Sequence, residues 1–282
     1  MVNWAVSRPS SRPMRRRAAL VVLAKGLLTG AAMLPLFVVA ADSRPGSAAD
    51  PRRSGFDDMR LATQTMQRDD ALNPGMLWVA QGQTLWREPP APGGWACVDC
   101  HGDASQTMRG VAARHPAFDA VLGRPVDLGQ RIDLCRVRHQ RSVAFGAESQ
   151  QRLSLEAWVA SQSRGMPIAA PDDLRLAPFR ARGEALYRQR MGQLDLSCAH
   201  CHDERAGRRL GGSPIPQGHP TGYPLYRLEW QALGSLQRRL RACMTGVRAE
   251  PFAFDAMELT ELQLYLSGRA AGMPFESPAV RP

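Results

Sequence analysis

The pentads Cys97-Val98-Asp99-Cys100-His101 and Cys198-Ala199-His200-Cys201-His202 constrain this chain more than any other feature of it. Two cysteines separated by two residues, with a histidine directly after, form thioether bonds to the two vinyl groups of haem while the histidine ligates the iron from one side. Each pentad therefore predicts a covalent haem c site, with Cys97, Cys100, Cys198 and Cys201 as attachment points and His101 and His202 as axial ligands. Structural zinc is the plainer alternative, but it needs four convergent ligands in each half. The iron face opposite each histidine is left to be explained, and that face decides the function.

The 282 residues suffice for two domains of ordinary size. A formal charge of +10 is concentrated at the start, because residues 1–41 hold six basic residues and no acid, which leaves +4 for the remainder. Nucleic-acid binding gains little support from that balance. Arg15-Arg16-Arg17, an apolar run from Ala18 to Ala41 and the small residues at its end read as an export signal over residues 1–41. Its cleavage leaves a periplasmic protein with no stable membrane span. An uncleaved anchor is the rival, since the run after Lys25 is close to the minimum that spans a bilayer. The haem motifs use four of the six cysteines, so Cys135 and Cys243 remain, and in an oxidising compartment a disulfide between them is the plain reading.

The chain repeats itself. Gly82 precedes Cys97 by 15 positions, as Gly183 precedes Cys198. Trp158 and Tyr265 each stand seven positions before a Gly-Met-Pro triplet, and Cys135 and Cys243 fall at matching places ahead of those triplets. The expectation is an all-α architecture of two tandem cytochrome c-like haem domains from an internal duplication. An N-terminal extension covers residues 42–70, domain 1 residues 71–170 and domain 2 residues 171–282, with a linker around 169–176. Helices are expected within residues 56–86, with Asn73-Pro74 as a start, and over 131–137, 155–160 and 233–244. The Gly- and Pro-rich stretch 208–222 reads as a loop covering haem rather than as sheet.

Three arrangements compete for the second axial position. Met166 and Met273 hold equivalent places, but each follows the last expected helix of its half beside a proline that suggests a structural stop. In small cytochromes c the ligating methionine precedes that helix, and here Cys135 and Cys243 do. Thiolate ligation is favoured on this order, with methionine ligation and the disulfide kept open. An anionic sulfur donor stabilises ferric iron and lowers its potential, which suits a generic electron shuttle poorly. On a helix over 233–244, Leu233, Leu236, Leu240 and Cys243 share a face with Arg239, while Arg238 and Arg241 point away. A guanidinium beside a sulfur ligand can hold a dianion such as thiosulfate or sulfite in a fork of hydrogen bonds. Pairing with a haem propionate is the alternative, and Arg131, four positions before Cys135, leaves both open. His115, His139 and His219 are expected in surface loops, and His200 inside the attachment loop away from iron.

Leu240-Arg241-Ala242-Cys243, Val247-Arg248-Ala249-Glu250-Pro251-Phe252 and Ile132-Asp133-Leu134-Cys135-Arg136 resemble the SoxA family, the dihaem subunits of the SoxAX cytochromes, over the whole mature chain. The resemblance implies an L-cysteine S-thiosulfotransferase. In it thiosulfate is joined oxidatively to a cysteine of a SoxYZ-like sulfur carrier, and electrons leave through haem to a SoxX-like monohaem cytochrome in a heterodimer. It implies two covalently bound haem c groups, His101 with Cys135 at the first and His202 with Cys243 at the second. It further implies that Cys243 is the catalytic residue, modified to a persulfide, and that Arg239 contacts substrate, with Arg248 as a further candidate. A dihaem electron-transfer cytochrome without bond-forming chemistry is the second reading. A dihaem peroxidase is a third, and it would leave Cys243 without a purpose.

Overall fold

The computed structural model describes residues 50–282; the expected export signal and the start of the expected extension lie outside them. The extension carries α1 (Leu61–Arg68). The first half carries α2 (Met76–Arg87), α3 (Cys97–His101), α4 (Ala104–Thr107), β1 (Ala117–Asp119), β2 (Arg124–Val126), α5 (Leu128–His139) and α6 (Gln150–Ser161). The second half carries α7 (Ala177–Arg188), α8 (Cys198–His202), β3 (Arg209–Leu210), β4 (Ser213–Pro214), β5 (Leu225–Arg227), β6 (Ala232–Gly234), α9 (Leu236–Gly246), α10 (Met257–Arg269) and β7 (Ala279–Arg281). Both halves run helix, pentad helix, hairpin, helix, helix, so the duplication is visible in the order of elements. The fold is mostly helical. Among the described residues no helix is long and apolar enough to cross a membrane.

Local chemistry fixes the helix starts and corrects the expected bounds. The Asp127 carboxylate accepts from Gln130 N at 2.8 Å and the Gln130 side chain accepts from Asp127 N at 3.1 Å, a reciprocal cap that begins α5 at Leu128. Ser235 Oγ accepts from Arg238 N at 3.1 Å, so α9 begins at Leu236, and Leu233 lies in β6 rather than on the helix. The expected helical stretch 56–86 is two helices, because Asn73 turns the chain: its Oδ1 accepts from Gly75 N at 2.9 Å and its Nδ2 donates to Pro278 O at 2.9 Å. The hairpins depart from the all-α expectation. Their strands are two or three residues long, too short to write an alternating pattern into the sequence. One of them, β3 with β4, interrupts the stretch expected to be loop.

Within each half the first and last helices cross at a glycine. A Cβ on Gly82 would lie 2.0 Å from Ser154 O, and one on Gly183 would lie 2.0 Å from Glu261 O. Backbone therefore meets backbone where α2 crosses α6 and where α7 crosses α10, a separation that only glycine permits. Each first helix is then tied to the residue after its pentad. Trp86 Nε1 donates to Gly102 O at 3.0 Å, and Tyr187 Oη donates to Asp203 Oδ1 at 2.8 Å.

The halves are joined by backbone and by a buried charge cluster. The Gly-Met-Pro triplets pair antiparallel: Gly165 N donates to Phe275 O at 2.8 Å and Phe275 N to Met166 O at 2.9 Å. In return, Gly272 N donates to Ile168 O at 2.8 Å and Ile168 N to Met273 O at 2.9 Å. Met273 and Phe275 sit in a core with Ala112, Ala113, Ala160, Ile168 and Ala270. Nearby, the buried Arg152 donates to both carboxylate oxygens of Asp255 at 2.8 Å and to Asp133 at 3.2 Å, while Gln237 donates to Asp127 across the seam at 2.7 Å. The extension and the C-terminus close the second half, where β7 runs parallel to β5 and Val280 N donates to Gln67 Oε1 at 3.0 Å.

Candidate functional site

Each pentad is a five-residue helix whose third residue caps its own start. Asp99 Oδ2 accepts from Ala96 N at 2.8 Å in the first, and His200 Nδ1 lies 2.7 Å from Ser197 Oγ and 3.0 Å from Ser197 N in the second. Cysteines three apart on one helical turn project to the same side, the arrangement two adjacent vinyl groups require. The cap also occupies one ring nitrogen of His200. All six cysteines are free thiols. Cys135 lies with Cys97 and Cys100, and Cys243 with Cys198 and His202, so the two spare cysteines belong to different sites and form no disulfide. Met273 is buried in the core between the halves and Met166 packs against Gly110, both within the structural seam.

The second site is the more enclosed. His202 Nδ1 lies 2.8 Å from Pro216 O, which leaves Nε2 as the free ring nitrogen. Gly218 backs the ring: a Cβ there would meet His202 at 3.1 Å. The stretch expected to cover haem therefore lies against the His202 ring. The Cys243 thiol faces the same ring within hydrogen-bonding reach. Burial disfavours a charged His202, yet the Cys243 thiol and the Pro216 carbonyl outweigh it and raise its pKa. Burial alone would push Cys243 up, but the hydrogen bond with His202 and the charges of Arg239 and Arg227 bring the thiol below its ordinary range. A free imidazole nitrogen and a thiol prone to ionise, facing each other beside two attachment cysteines, fit haem c.

At the first site the pentad is more open, with Cys100 and His101 exposed and the His101 ring 5.7 Å from Trp86. Burial raises the Cys135 thiol, and Arg131 and Arg138 offset it only in part. Those two arginines are held by Asp119, whose carboxylate takes Arg131 Nη1 at 2.6 Å and Arg138 Nη1 at 2.8 Å. Arg138, ahead of Leu122 N and Arg131, keeps the Asp119 carboxyl well below the usual carboxylate range against the cost of burial. The donor set again suits haem c, with Gln140 Nε2 3.6 Å from Cys97 Sγ.

Arg239 stands one turn before Cys243 on α9 and acts on its charge, as the spacing suggested. Arg248 follows the helix as an exposed residue with positive φ, its carbonyl accepting from Gln193 N at 3.3 Å. Arg227, on β5, is a cation near Cys243 that the sequence reading did not single out. Its signal was present, because the sequence offset relating Cys135 to Cys243 also relates Asp119 to Arg227. Of the other histidines, His139 is exposed but ends a helix, and His219 Nδ1 lies 2.9 Å from Arg53 O. His115 departs from its expected surface loop. It lines a cavity between the halves with Nδ1 2.8 Å from Val111 O, and burial lowers its pKa.

Residues 81–168 and 182–275 each match the SoxA/TsdA cytochrome c domain, one segment per half, which carries haem c into both the family and this chain. The chain is 33% identical over 246 residues to the L-cysteine S-thiosulfotransferase subunit SoxA of Pseudaminobacter salicylatoxidans, covering 86% of each. It is 29% identical over 250 residues to that of Paracoccus pantotrophus, covering 88% of this chain and 86% of the other. The crystal structure of SoxXA from P. pantotrophus superimposes with a TM-score of 0.79 at 29% identity, over 82% of this chain and 87% of the solved one. Two pentads on matching helices, a tandem cytochrome c fold and similarity along most of its length place this chain in the SoxA/TsdA cytochrome c family, among the SoxA subunits of L-cysteine S-thiosulfotransferase.

Proposed function

We propose that the exported chain, its signal removed, carries two covalently bound haem c groups in domains 71–170 and 171–282. It works in the periplasm as the catalytic subunit that joins thiosulfate to a cysteine of a SoxYZ-like carrier. The net reaction turns a carrier thiol and thiosulfate into a carrier S-thiosulfonate, one proton and two electrons. Haem c, when bound, supplies the electron acceptor, and a SoxX-like monohaem cytochrome in a heterodimer takes the electrons onward. Cys97 with Cys100 and Cys198 with Cys201 would hold the two groups covalently, with His101 and Cys135 as iron ligands for the first and His202 and Cys243 for the second.

The chemistry belongs to Cys243, bearing one extra sulfur. Arg239 holds the thiosulfate dianion, with Arg248 at the exposed rim, so that its terminal sulfur meets the outer sulfur on Cys243. A sulfur–sulfur bond forms there with loss of two electrons. The carrier thiolate then attacks the terminal sulfur of the thiosulfate unit, that new bond breaks, and Cys243 keeps its outer sulfur for the next cycle. The observation that carries this reading is the placement of Cys243, half-buried beside His202 with Arg239 acting on its charge. Cys243→Met tests it. The variant is expected to retain both haems by intact mass and to lose conjugation of thiosulfate to the carrier. Full activity in that variant would leave an electron carrier and no bond-forming enzyme.

A further inference from the structure

The matching hairpins of the two halves differ in charge at one decisive position. Ala117, Phe118 and Asp119 pair with Val126, Pro125 and Arg124, in the register in which Leu225, Tyr226 and Arg227 pair with Gly234, Leu233 and Ala232. Each hairpin leads straight into a capping residue, Asp127 or Ser235, and then into the helix that holds the spare cysteine. The position of Asp119 in the first half is thus the position of Arg227 in the second, as Arg131 corresponds to Arg239.

Beside Cys135 the charges cancel. Asp119 has 2% of its side chain exposed and takes both Arg131 and Arg138 within 2.8 Å. No buried carboxylate among the described residues plays that part beside Cys243. Among the described residues Arg239 has no carboxylate within 4.0 Å, and Arg227 repels it from the strand. Arg227 Nε is buried and lacks a hydrogen-bond acceptor; Glu229 comes within 2.8 Å without hydrogen-bond geometry, and its side chain is 65% exposed. Two guanidiniums that both act on one thiol, one of them with an unsatisfied buried donor, form a site prepared for an anion.

We propose that Arg227 and Arg239 together cradle a dianionic sulfur oxyanion such as thiosulfate beside Cys243. Asp119 is a built-in carboxylate that fills the matching place beside Cys135 and shuts the first site to such anions. The inference rests on the reading of Cys243 as the reacting residue, and it explains why one of two similar sites takes substrate. A carboxylate at residue 227 gives the second site the charge pattern of the first.

The test is steady-state kinetics of thiosulfate conjugation by the complete complex carrying Arg227→Asp or Arg227→Lys, with haem attachment verified by intact mass. Loss of a charge-assisted contact predicts a thiosulfate KM raised about 10-fold or more in R227D, a smaller change in kcat, and R227K within about threefold of wild type. A wild-type KM in R227D beside an inactive C243M overturns this inference alone, whereas an active C243M overturns the reading beneath it. R227K as impaired as R227D also overturns the inference, because the side chain then serves packing. A shifted haem potential in R227D with unchanged KM assigns the guanidinium to a haem propionate and overturns it as well.

Discussion

Cys135 and Cys243 fill the same place in two copies of one unit, yet burial raises the first thiol, whereas at the second burial is outweighed by the hydrogen bond with His202 and the charges of Arg239 and Arg227. At the scale of single residues the proposed role of Cys243 rests on that contrast. Arg239→Gln is expected to raise the thiosulfate KM about 10-fold or more, the loss of a charge-assisted contact, while both haems stay attached by intact mass. Arg248→Gln, at an exposed site where water competes for the anion, is expected to change KM by less than about threefold in the same assay. Arg239 could be read from the sequence because a residue four positions before Cys243 on one helix shares its face. Arg227 could not be read that way, since a strand and a turn bring it to the thiol and no local period connects them.

Among elements, the helix crossings are the most exacting feature. Gly183→Ala would drive a methyl group onto the Glu261 carbonyl, so α7 and α10 must separate. Overpacking of this kind costs about 3 kcal/mol, seen as a lower denaturation midpoint in chemical unfolding of the haem-loaded protein. Both glycines were marked in the sequence by their shared distance from the pentads, although the reason for that distance is tertiary. The helices themselves were legible where capping residues and apolar spacing agree, as in α5 and α6. The start of α9 was misplaced by three residues because Leu233 continues the apolar spacing of the helix backwards into β6. The strand β7 had no local signal at all, since its partner β5 lies far back in the chain.

For the whole molecule, the seam between halves predicts a pH dependence. Arg152 faces Asp127, Asp133, Glu156 and Asp255 within 3.5 Å, four carboxylates for one guanidinium. Burial pushes Glu156 up to about 8, despite the attraction of Arg152, so the folded protein keeps a proton there that the unfolded chain releases near 4.5. The folded state then binds more protons between those values, and the stability this group contributes falls as pH rises through the window. Glu156→Gln keeps the shape and removes the titration. Its Tm relative to the wild type is expected to climb by about 5 °C or more between pH 5 and pH 8, measured by thermal unfolding. The duplication was legible in the sequence as a repeat of motifs, but the cluster that joins the copies was not, because its members come from separate helices and loops.

The two Gly-Met-Pro triplets exchange hydrogen bonds reciprocally, each glycine donating to the segment that follows the other. Reciprocal contact of one patch with its own copy is how identical subunits meet about a twofold axis. A half cut from the chain at the linker would therefore bare an edge whose donors and acceptors match those of a second copy of itself.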